Sequence, residues 1–218
     1  DGAMIFGKRL VISYLVDAKS QLSIFDLDGK ALGALDLPGP GQVGGLSGSI
    51  KSDEGFFTFQ SFNRPTTVFR YDGTAAPTIW AAPSLPFDPE TVEVTQRFYE
   101  SKDGTKVPMF LVHMKGQDLA KGAPTLLYGY GGFNISVLPQ YKPAWMAWIK
   151  LWHDAGRLQN KQNVFDDFIA AGEYLISEGI TPEHGLAIEG RSNGGLLIGA
   201  VMNQRPDLFT AGHAAVGV

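Results

Sequence analysis

The sequence predicts an all-β region followed by an α/β region with a parallel sheet. A pattern of short strands occurs twice in the first 90 residues, at an offset of 44 residues. Four prolines between Pro77 and Pro89 then separate this pattern from a second one, in which strands alternate with helices. In the second pattern a serine lies among glycines, between a strand and a helix. We therefore expect two domains, residues 1–85 and residues 86–218.

The repeated pattern consists of strands joined by an Asp-Gly turn. In residues 9–35, runs of β-branched and aromatic residues are interrupted at residues 17–20 and again at Asp28-Gly29. Residues 55–80 carry Asp72-Gly73 at the equivalent place. Asp-Gly between such runs favours a hairpin, and repeats of about 40 to 50 residues with several strands each are typical of β-propeller blades. Two unrelated meanders with similar turns are the alternative. Since a propeller needs about four blades or more to close, we expect further blades outside this sequence.

The second region has the elements of an α/β fold. A hairpin is predicted around Asp103-Gly104, and an apolar strand in residues 124–128 runs into glycines. Residues 163–179 predict a helix, and residues 185–218 predict a strand, a helix and another strand. Strands that alternate with helices predict a parallel sheet.

The helix predicted over residues 163–179 has a capped start and one apolar face. Asn163 is the predicted N-cap, and Asp166 and Asp167 suit the positive end of the helix. Apolar residues recur at helical spacing and form the predicted buried face: Phe165, Phe168, Ile169, Leu175 and Ile176.

Composition excludes several classes of protein and site. The chain has 218 residues, of which 44% are hydrophobic and 18% charged, as in a soluble globular protein. No apolar run approaches the roughly 18 residues of a membrane span. A net charge of -4 without a basic stripe disfavours nucleic-acid binding. With no cysteine and four scattered histidines, we expect no thiol catalysis, no metal site and no cofactor.

Ser192 carries the strongest signal of a catalytic site. Residues 190–194 read Gly-Arg-Ser-Asn-Gly and match G-x-S-x-G between a predicted strand and a predicted helix, as a nucleophile elbow requires. In such a turn, side chains at Gly190 and Gly194 would clash, and the serine hydroxyl stands above the N-terminus of the helix. The alternative is a glycine-rich turn with an incidental serine. A phosphate-binding loop is excluded because GxxxxGK[ST] is absent.

A second candidate element is the glycine-rich loop in residues 126–134, Leu-Leu-Tyr-Gly-Tyr-Gly-Gly-Phe-Asn. In α/β-hydrolases the loop after an early strand supplies part of the oxyanion hole. Tyr130 lies among the glycines, so its phenol hydroxyl is a candidate donor. Alternatively, Tyr128 and Tyr130 are strand and turn aromatics with one buried face.

Four stretches together resemble the prolyl oligopeptidase family of serine peptidases. They are LLYGYGGFNIS (126–136), NKQNVFDDFIAAGEYLI (160–176), GRSNGGLL (190–197) and NQRPDLF (203–209). The likeness covers residues 91–218, and the residues before them resemble the last blades of the family's propeller. It implies a partial α/β-hydrolase domain preceded by propeller blades, and an endopeptidase that cleaves short peptides after proline. It further implies that the full-length protein is a monomer without cofactor, located in the cytoplasm or the bacterial periplasm.

The resemblance also assigns roles to individual residues. Ser192 is expected to be the nucleophile. The backbone N–H of Asn193 and the hydroxyl of Tyr130 are expected to form the oxyanion hole, and Phe133 is expected to line the pocket for the proline ring.

Three features depart from the family pattern. Arg191 replaces the usual glycine before the serine, at a position that the elbow does not force to be small. Leu151 runs directly into Trp152 where the family has a further strand. Because the loss of a central strand would open a parallel sheet, we expect that residues are absent here and that Leu151–Trp152 is an artificial junction. The sequence ends before the family's catalytic aspartate and histidine, so these 218 residues alone are expected to be inactive. For His213 we favour a core or helix-facing position over a role as base.

Two other functions remain open at this point. One is a related α/β-hydrolase of the oligopeptidase B, aminopeptidase or esterase type. The other is a non-catalytic remnant that only binds peptides or a partner. Two stretches favour the prolyl branch over the oligopeptidase B and acylaminoacyl-peptidase branches: Ser-Asn-Gly-Gly at residues 192–195 and Gly-Gly-Phe-Asn at residues 131–134.

Overall fold

The structure is a computed structural model that describes residues 2–119, 122–132, 136–149 and 161–217, without the side chains of residues 147, 148 and 161–163. Within it the chain divides into two units. The first contains residues 1–89 and 138–143, and the second contains residues 90–137 and 144–218. Each unit has its own apolar core.

The first unit begins with a four-stranded antiparallel sheet in sequential order. Its strands are β1 (Gly2–Phe6), β2 (Arg9–Val16), β3 (Lys19–Asp26) and β4 (Ala31–Leu35). Asp17 and Ala18 form the turn between β2 and β3, both with positive φ. The predicted Asp28-Gly29 hairpin joins β3 to β4, and the Asp26 carboxylate stabilises it by accepting the backbone N–H groups of Asp28 and Lys30.

A second four-stranded antiparallel sheet follows with the same connections. Its strands are β5 (Gln42–Gly48), β6 (Gly55–Gln60), β7 (Thr67–Tyr71) and β8 (Thr78–Ala81). The Asp72-Gly73 turn joins β7 to β8, and the Asp72 carboxylate accepts the backbone N–H of Thr74 at 2.9 Å. Both Asp-Gly turns therefore follow the third strand of a sheet, as the 44-residue repeat predicts.

The two sheets of the first unit share one core that is rich in aromatic side chains. Phe57 and Phe69 stack with ring centroids 5.5 Å apart, and Phe6 of β1 meets Tyr71 of β7 edge-on at 5.7 Å. Because β1, the first strand of its sheet, packs on the second sheet, each sheet buries the apolar face that it cannot bury alone. The buried core residues are Met4, Phe6, Val11, Leu22, Ile24, Leu35, Phe57, Phe59, Phe69 and Tyr71.

The second unit combines a hairpin, a parallel sheet and helices. The hairpin of β9 (Val92–Glu100) and β10 (Lys106–Met114) turns at Asp103-Gly104, as predicted. The parallel sheet has the order β11 (Thr125–Tyr128), β12 (Leu186–Arg191) and β13 (Ala211–Ala215). Its helices are α1 (Pro143–Ile149), α2 (Lys161–Ser177) and α3 (Asn193–Gln204), and a 3-10 turn spans Pro89–Thr91.

The strands on either side of the suspected junction are direct neighbours. β11 pairs with β12 from Thr125↔Leu186 to Tyr128↔Glu189. No strand is therefore missing between β11 and β12, and the artificial junction at Leu151–Trp152 stays a prediction. Leu151 and Trp152 themselves lie outside the described residues.

The predicted start of α2 is also wrong. The described helix begins at Lys161, so Asn163 lies inside its first turn and is not the N-cap. Asp166 and Asp167 lie beyond the first turn and contact the β9–β10 hairpin instead, through Lys102 and Ser101. The predicted apolar face is correct: Phe168 and Leu175 are fully buried, and Phe165, Ile169 and Ile176 pack against the same core.

Candidate active site

The chain makes a sharp turn at Ser192, between β12 and α3. Ser192 has φ 56° and ψ -122°. Residues other than glycine rarely adopt this backbone conformation, which costs on the order of 1–3 kcal/mol. Hydrogen bonds hold its backbone on both sides. The Ser192 N–H donates to the carbonyl of Ala215 at 2.9 Å, and the Ser192 carbonyl accepts the N–H of Gly195 at 2.8 Å. Strand and helix together thus enforce the strained conformation.

The Ser192 hydroxyl is not used to cap the helix. Serine before a helix normally accepts a backbone N–H of the first turn, but here no such side-chain bond forms. The side chain is exposed. Because Ser192 stands at the N-terminus of α3, where the first N–H groups have no partner within the helix, negative charge that develops at this hydroxyl is favoured.

Each glycine of the turn faces a backbone atom at a distance that a side chain could not tolerate. A Cβ on Gly190 would lie 2.2 Å from the Gly194 carbonyl oxygen. A Cβ on Gly194 would lie 2.8 Å from the carbonyl oxygen of Gly129, in the loop after β11. A Cβ on Gly195 would lie 2.8 Å from the Ala215 carbonyl oxygen on β13. These contacts explain the glycine spacing, and they place the loop after β11 directly against the start of α3.

That loop, residues 129–132, is held closely on two sides. Gly131 has φ +61°, and a Cβ there would lie 2.1 Å from Val164 Cγ1 of α2. On the other side, a Cβ on Gly132 would lie 2.4 Å from Asn193 Nδ2. Tyr130 lies between these contacts and is half-buried. Phe133, the residue expected to line a proline pocket, lies outside the described residues.

The side chain of Asn193 joins the loop to the turn. It is 2% exposed, and its Nδ2 donates to the carbonyl oxygens of Tyr130 and Gly131, each at 2.8 Å. Its Oδ1 is buried and has no hydrogen-bond partner among the described residues. From the sequence, only the backbone N–H of Asn193 was assigned a role. The sequence holds one signal for the side chain: a polar residue begins an otherwise apolar helix, and a Gly-Gly pair elsewhere in the chain leaves room for it.

The structure places the backbone of Tyr130 next to Asn193, which directly follows Ser192. Ser192 and Asn193 are adjacent in the chain, and Asn193 binds the Tyr130 carbonyl. The backbone N–H of Asn193 is the first of α3 and has no partner within the helix. This arrangement provides an exposed hydroxyl, a free backbone donor beside it and a phenol on a loop that is bonded to the same turn.

The described histidines lie in other surroundings. His213 lies on β13 in register with Glu189, its Nδ1 is 3.8 Å from Glu189 Oε1, and its side chain is 74% exposed. The expectation of a core or helix-facing position for His213 is therefore wrong. His113 is buried in β10 with its Nδ1 3.1 Å from the Met114 carbonyl oxygen. His153 lies outside the described residues.

No group of three or more histidine and acidic side chains in the described part of the chain could hold a metal ion. Among the described helices, none is both long and apolar enough to cross a membrane.

The chain matches two sequence families over separate ranges. Residues 150–218 match the prolyl oligopeptidase family. Residues 1–81 match the N-terminal β-propeller domain of prolyl oligopeptidase. These matches confirm the predicted fold, β-propeller blades followed by part of an α/β-hydrolase domain, and exclude unrelated meanders in the first unit.

Individual relatives agree with both ranges. The prolyl endopeptidase of Elizabethkingia meningoseptica is 40% identical over 231 residues, covering 97% of this chain and 33% of the relative. A structure from a study of two prolyl endopeptidases has a TM-score of 0.91 at 50% identity and covers 100% of this chain and 35% of that chain. Apo prolyl oligopeptidase B from Galerina marginata has a TM-score of 0.92 at 29% identity, with 100% and 35% covered. The chain thus spans about one third of the length of these relatives.

Proposed function

This chain belongs to the prolyl oligopeptidase family, and we propose that the protein containing it is a serine endopeptidase that hydrolyses short peptides on the carboxyl side of proline. The observation that carries the proposal is the backbone of Ser192, which has φ 56° between a strand and a helix and leaves its hydroxyl free of capping. Strain of this kind persists only where the surroundings enforce it, and it concentrates at catalytic sites.

In the proposed reaction, Ser192 forms an acyl-enzyme with the proline residue of the substrate. Its Oγ attacks the carbonyl carbon of that proline, the peptide C–N bond breaks, and the leaving amine takes up a proton. Water then hydrolyses the ester and restores the serine hydroxyl. In both steps the backbone N–H of Asn193 and the hydroxyl of Tyr130 stabilise the negative oxygen, and Phe133 contacts the proline ring.

We place the base that activates Ser192 outside these 218 residues. His213 is exposed and lies beside Glu189, and His113 is buried with its Nδ1 next to a backbone carbonyl. Both imidazoles lie beside groups other than Ser192, and a serine without a base is a weak nucleophile. The complete gene product, a monomer of the cytoplasm or bacterial periplasm in this proposal, is therefore the protein to test.

The first test is the chemical reactivity of Ser192 in the complete gene product. A fluorophosphonate should label one serine, and peptide mass spectrometry should identify it as Ser192. Ser192→Ala should abolish both labelling and turnover of a blocked peptide reporter with proline before the cleaved bond. Ser177→Ala, an exposed serine at the end of α2, is the matched control and should change neither. Labelling of another serine contradicts the proposed nucleophile.

The second test separates the proposed activity from related ones. Reporters in which lysine or alanine replaces proline, a reporter with a free N-terminus and a simple ester should each react at least about 10-fold more slowly in kcat/KM. A preference for the lysine reporter indicates an activity of the oligopeptidase B type. A preference for the free N-terminus indicates an aminopeptidase, and faster ester turnover an esterase. No labelling and no turnover at all indicate a non-catalytic protein.

A further inference from the structure

We propose that the Asn193 side chain is a positioning residue, which holds the loop of residues 129–132 against the start of α3 and thereby fixes Tyr130 for catalysis. The inference rests on the proposed function, because it assigns a task within the same reaction. It concerns the carboxamide of Asn193, whereas the proposed oxyanion donor is the backbone N–H of that residue.

The hydrogen bonds define one orientation of the amide. A carboxamide nitrogen has two N–H groups, and Asn193 directs them to two successive carbonyl oxygens, those of Tyr130 and Gly131, each at 2.8 Å. Carbonyls only accept, so the nitrogen of the amide faces them and the oxygen faces away. A donor that binds both carbonyls fixes the peptide plane between Tyr130 and Gly131. With Asn193 only 2% exposed, little water is available to replace these bonds.

The glycines of the loop show that the Asn193 amide is tightly packed. A Cβ on Gly132 would lie 2.4 Å from Asn193 Nδ2, so the residue facing the amide must lack a side chain. Behind the loop, a Cβ on Gly131 would lie 2.1 Å from Val164 Cγ1. Beneath it, a Cβ on Gly194 would lie 2.8 Å from the Gly129 carbonyl oxygen. The loop is thus packed between α2 and α3, with the amide as its polar contact.

This arrangement links both proposed oxyanion donors through one residue. Asn193 supplies one donor from its backbone and binds the backbone of Tyr130, which supplies the other. It also directly follows Ser192, whose conformation the strand and the helix enforce. Oxyanion donors act at about 2.7–3.1 Å, and a displacement of about 1 Å can cost on the order of 100-fold in rate. Removal of the amide should therefore impair the transition state more than substrate binding.

The test compares three variants of the complete gene product with a blocked proline reporter. Asn193→Ala removes the amide, and Asn193→Asp keeps its shape but turns a carboxylate oxygen toward two carbonyls. Asn203→Ala is the matched control, since Asn203 lies on the same helix and donates to the Gly199 carbonyl at 2.8 Å, but it is exposed. We expect both Asn193 variants to lower kcat about 10- to 100-fold with KM changed less than about 3-fold. Asn203→Ala should stay within about 2-fold.

A double variant shows whether Asn193 acts through Tyr130. If the amide serves to place the phenol hydroxyl, Asn193→Ala should slow the Tyr130→Phe protein by less than about 3-fold, since the placed group is already gone. If the fold losses in kcat of the two single variants multiply in the double variant, the inference is wrong. If Asn193→Ala does not fold, Gly132→Ala tests the same contact from the loop side and should reproduce the loss in kcat.

The outcomes for this inference differ from those for the proposed function. If the wild-type protein is not labelled at Ser192, the proposed function fails. If the wild-type protein is labelled and active while Asn193→Ala and Asn193→Asp keep kcat within about 2-fold, only the positioning role fails. A lower melting temperature with unchanged kcat would likewise overturn it, because the amide would then serve stability alone.

Discussion

Two buried polar side chains of the second unit each hold a loop against a helix, and they differ in whether they can ionise. Asn193 at the start of α3 donates to the loop of residues 129–132. Asp167 in α2 accepts the hydroxyl of Ser101 from the β9–β10 hairpin, and its carbonyl accepts the Tyr99 hydroxyl at 3.0 Å. An amide is neutral at every pH. In contrast, burial raises the pKa of the Asp167 carboxyl to about 6, and the nearby carboxylates of Asp103 and Asp166 add to this.

The proposed role of Asn193 assigns catalysis to one of these contacts and stability to the other, within one unit. The contact beside Ser192 uses a group that cannot titrate, so the proposed oxyanion donors keep their spacing across the pH range in which a serine peptidase works. The contact of Asp167 lies at the hairpin and titrates near pH 6. Changes at the loop should therefore lower kcat, and changes at the hairpin should alter the free energy of unfolding with kcat unchanged.

Among changes at the loop and the hairpin, the largest effect is expected for Tyr130→Phe in the complete gene product. Loss of the phenol hydroxyl removes a proposed donor to the oxyanion and should lower kcat on the order of 10- to 1000-fold. The melting temperature should change little, because the half-buried ring stays in place. Steady-state kinetics with the proline reporter and thermal unfolding measure both quantities. A Tyr130→Phe protein with wild-type kcat would show that the loop carries no catalytic group.

The loop and the hairpin also differ in how far the sequence predicts them. Turns with local causes were predicted correctly: Asp28-Gly29, Asp72-Gly73 and Asp103-Gly104 each join the strands expected of them. The glycines around Ser192 likewise indicate a sharp turn, because the clashes that require Gly190 and Gly195 arise within the strand–turn–helix and its neighbouring strand.

Contacts between distant parts of the chain were not predictable. The Asn193 amide reaches residues 62 and 63 positions earlier, and Ser101 meets Asp167 across 66 positions. From the sequence, Asp166 and Asp167 were predicted at the positive end of a helix. In the structure they contact the hairpin instead. His213 was wrongly expected in the core, because sequence periodicity shows the alternation of a strand but not which of its faces is covered. The roles of Tyr130, Phe133, Ser192 and Asn193 stay predictions.

The second-largest expected effect is a stabilisation by Asp167→Asn that depends on pH. The folded-state pKa is raised from 3.8 to about 6, so the folded protein binds this proton more tightly than the unfolded one. The stability that the protonated group contributes is full below about pH 3.8 and is lost as the pH rises through about 6. Asparagine is neutral and still accepts the Ser101 hydroxyl. It should raise the free energy of unfolding by about 3 kcal/mol at pH 8, with the gain vanishing toward pH 4.

Urea unfolding of the wild-type and Asp167→Asn proteins between pH 4 and pH 8 measures this difference. Asp72→Asn is the control, since the Asp72 carboxylate is exposed at the equivalent Asp-Gly turn of the first unit and its hydrogen bonds with Thr74 lower its pKa. A gain for Asp167→Asn that is equal at both ends of the pH range would contradict the raised pKa. A fall in kcat would contradict the separation between hairpin and site.

A smaller destabilisation is expected for Ser101→Ala. The hydroxyl of Ser101 donates to the buried Asp167 carboxyl, and removing it leaves an acceptor without that donor. The free energy of unfolding should fall by about 1–2 kcal/mol at pH 8, with kcat and KM within about 2-fold of wild type. In the Asp167→Asn background the loss should shrink, because a neutral acceptor forms a weaker hydrogen bond than a charged one. An equal loss in both backgrounds would show that Ser101 acts through packing instead.

The smallest effect is expected one residue further along the hairpin, at Lys102. Its Nζ lies 3.1 Å from Asp166 Oδ2, but the Lys102 side chain is 75% exposed, so water and salt screen this ion pair. Lys102→Ala should lower the melting temperature by no more than about 2 °C, and the difference should disappear in 1 M salt. Ser101 and Lys102 thus contact adjacent carboxylates of α2, and burial alone distinguishes a contact that stabilises the unit from one that barely does. If Lys102→Ala lowers the free energy of unfolding as much as Ser101→Ala does, at either salt concentration, then the hairpin is held by charge and not by the buried hydrogen bond.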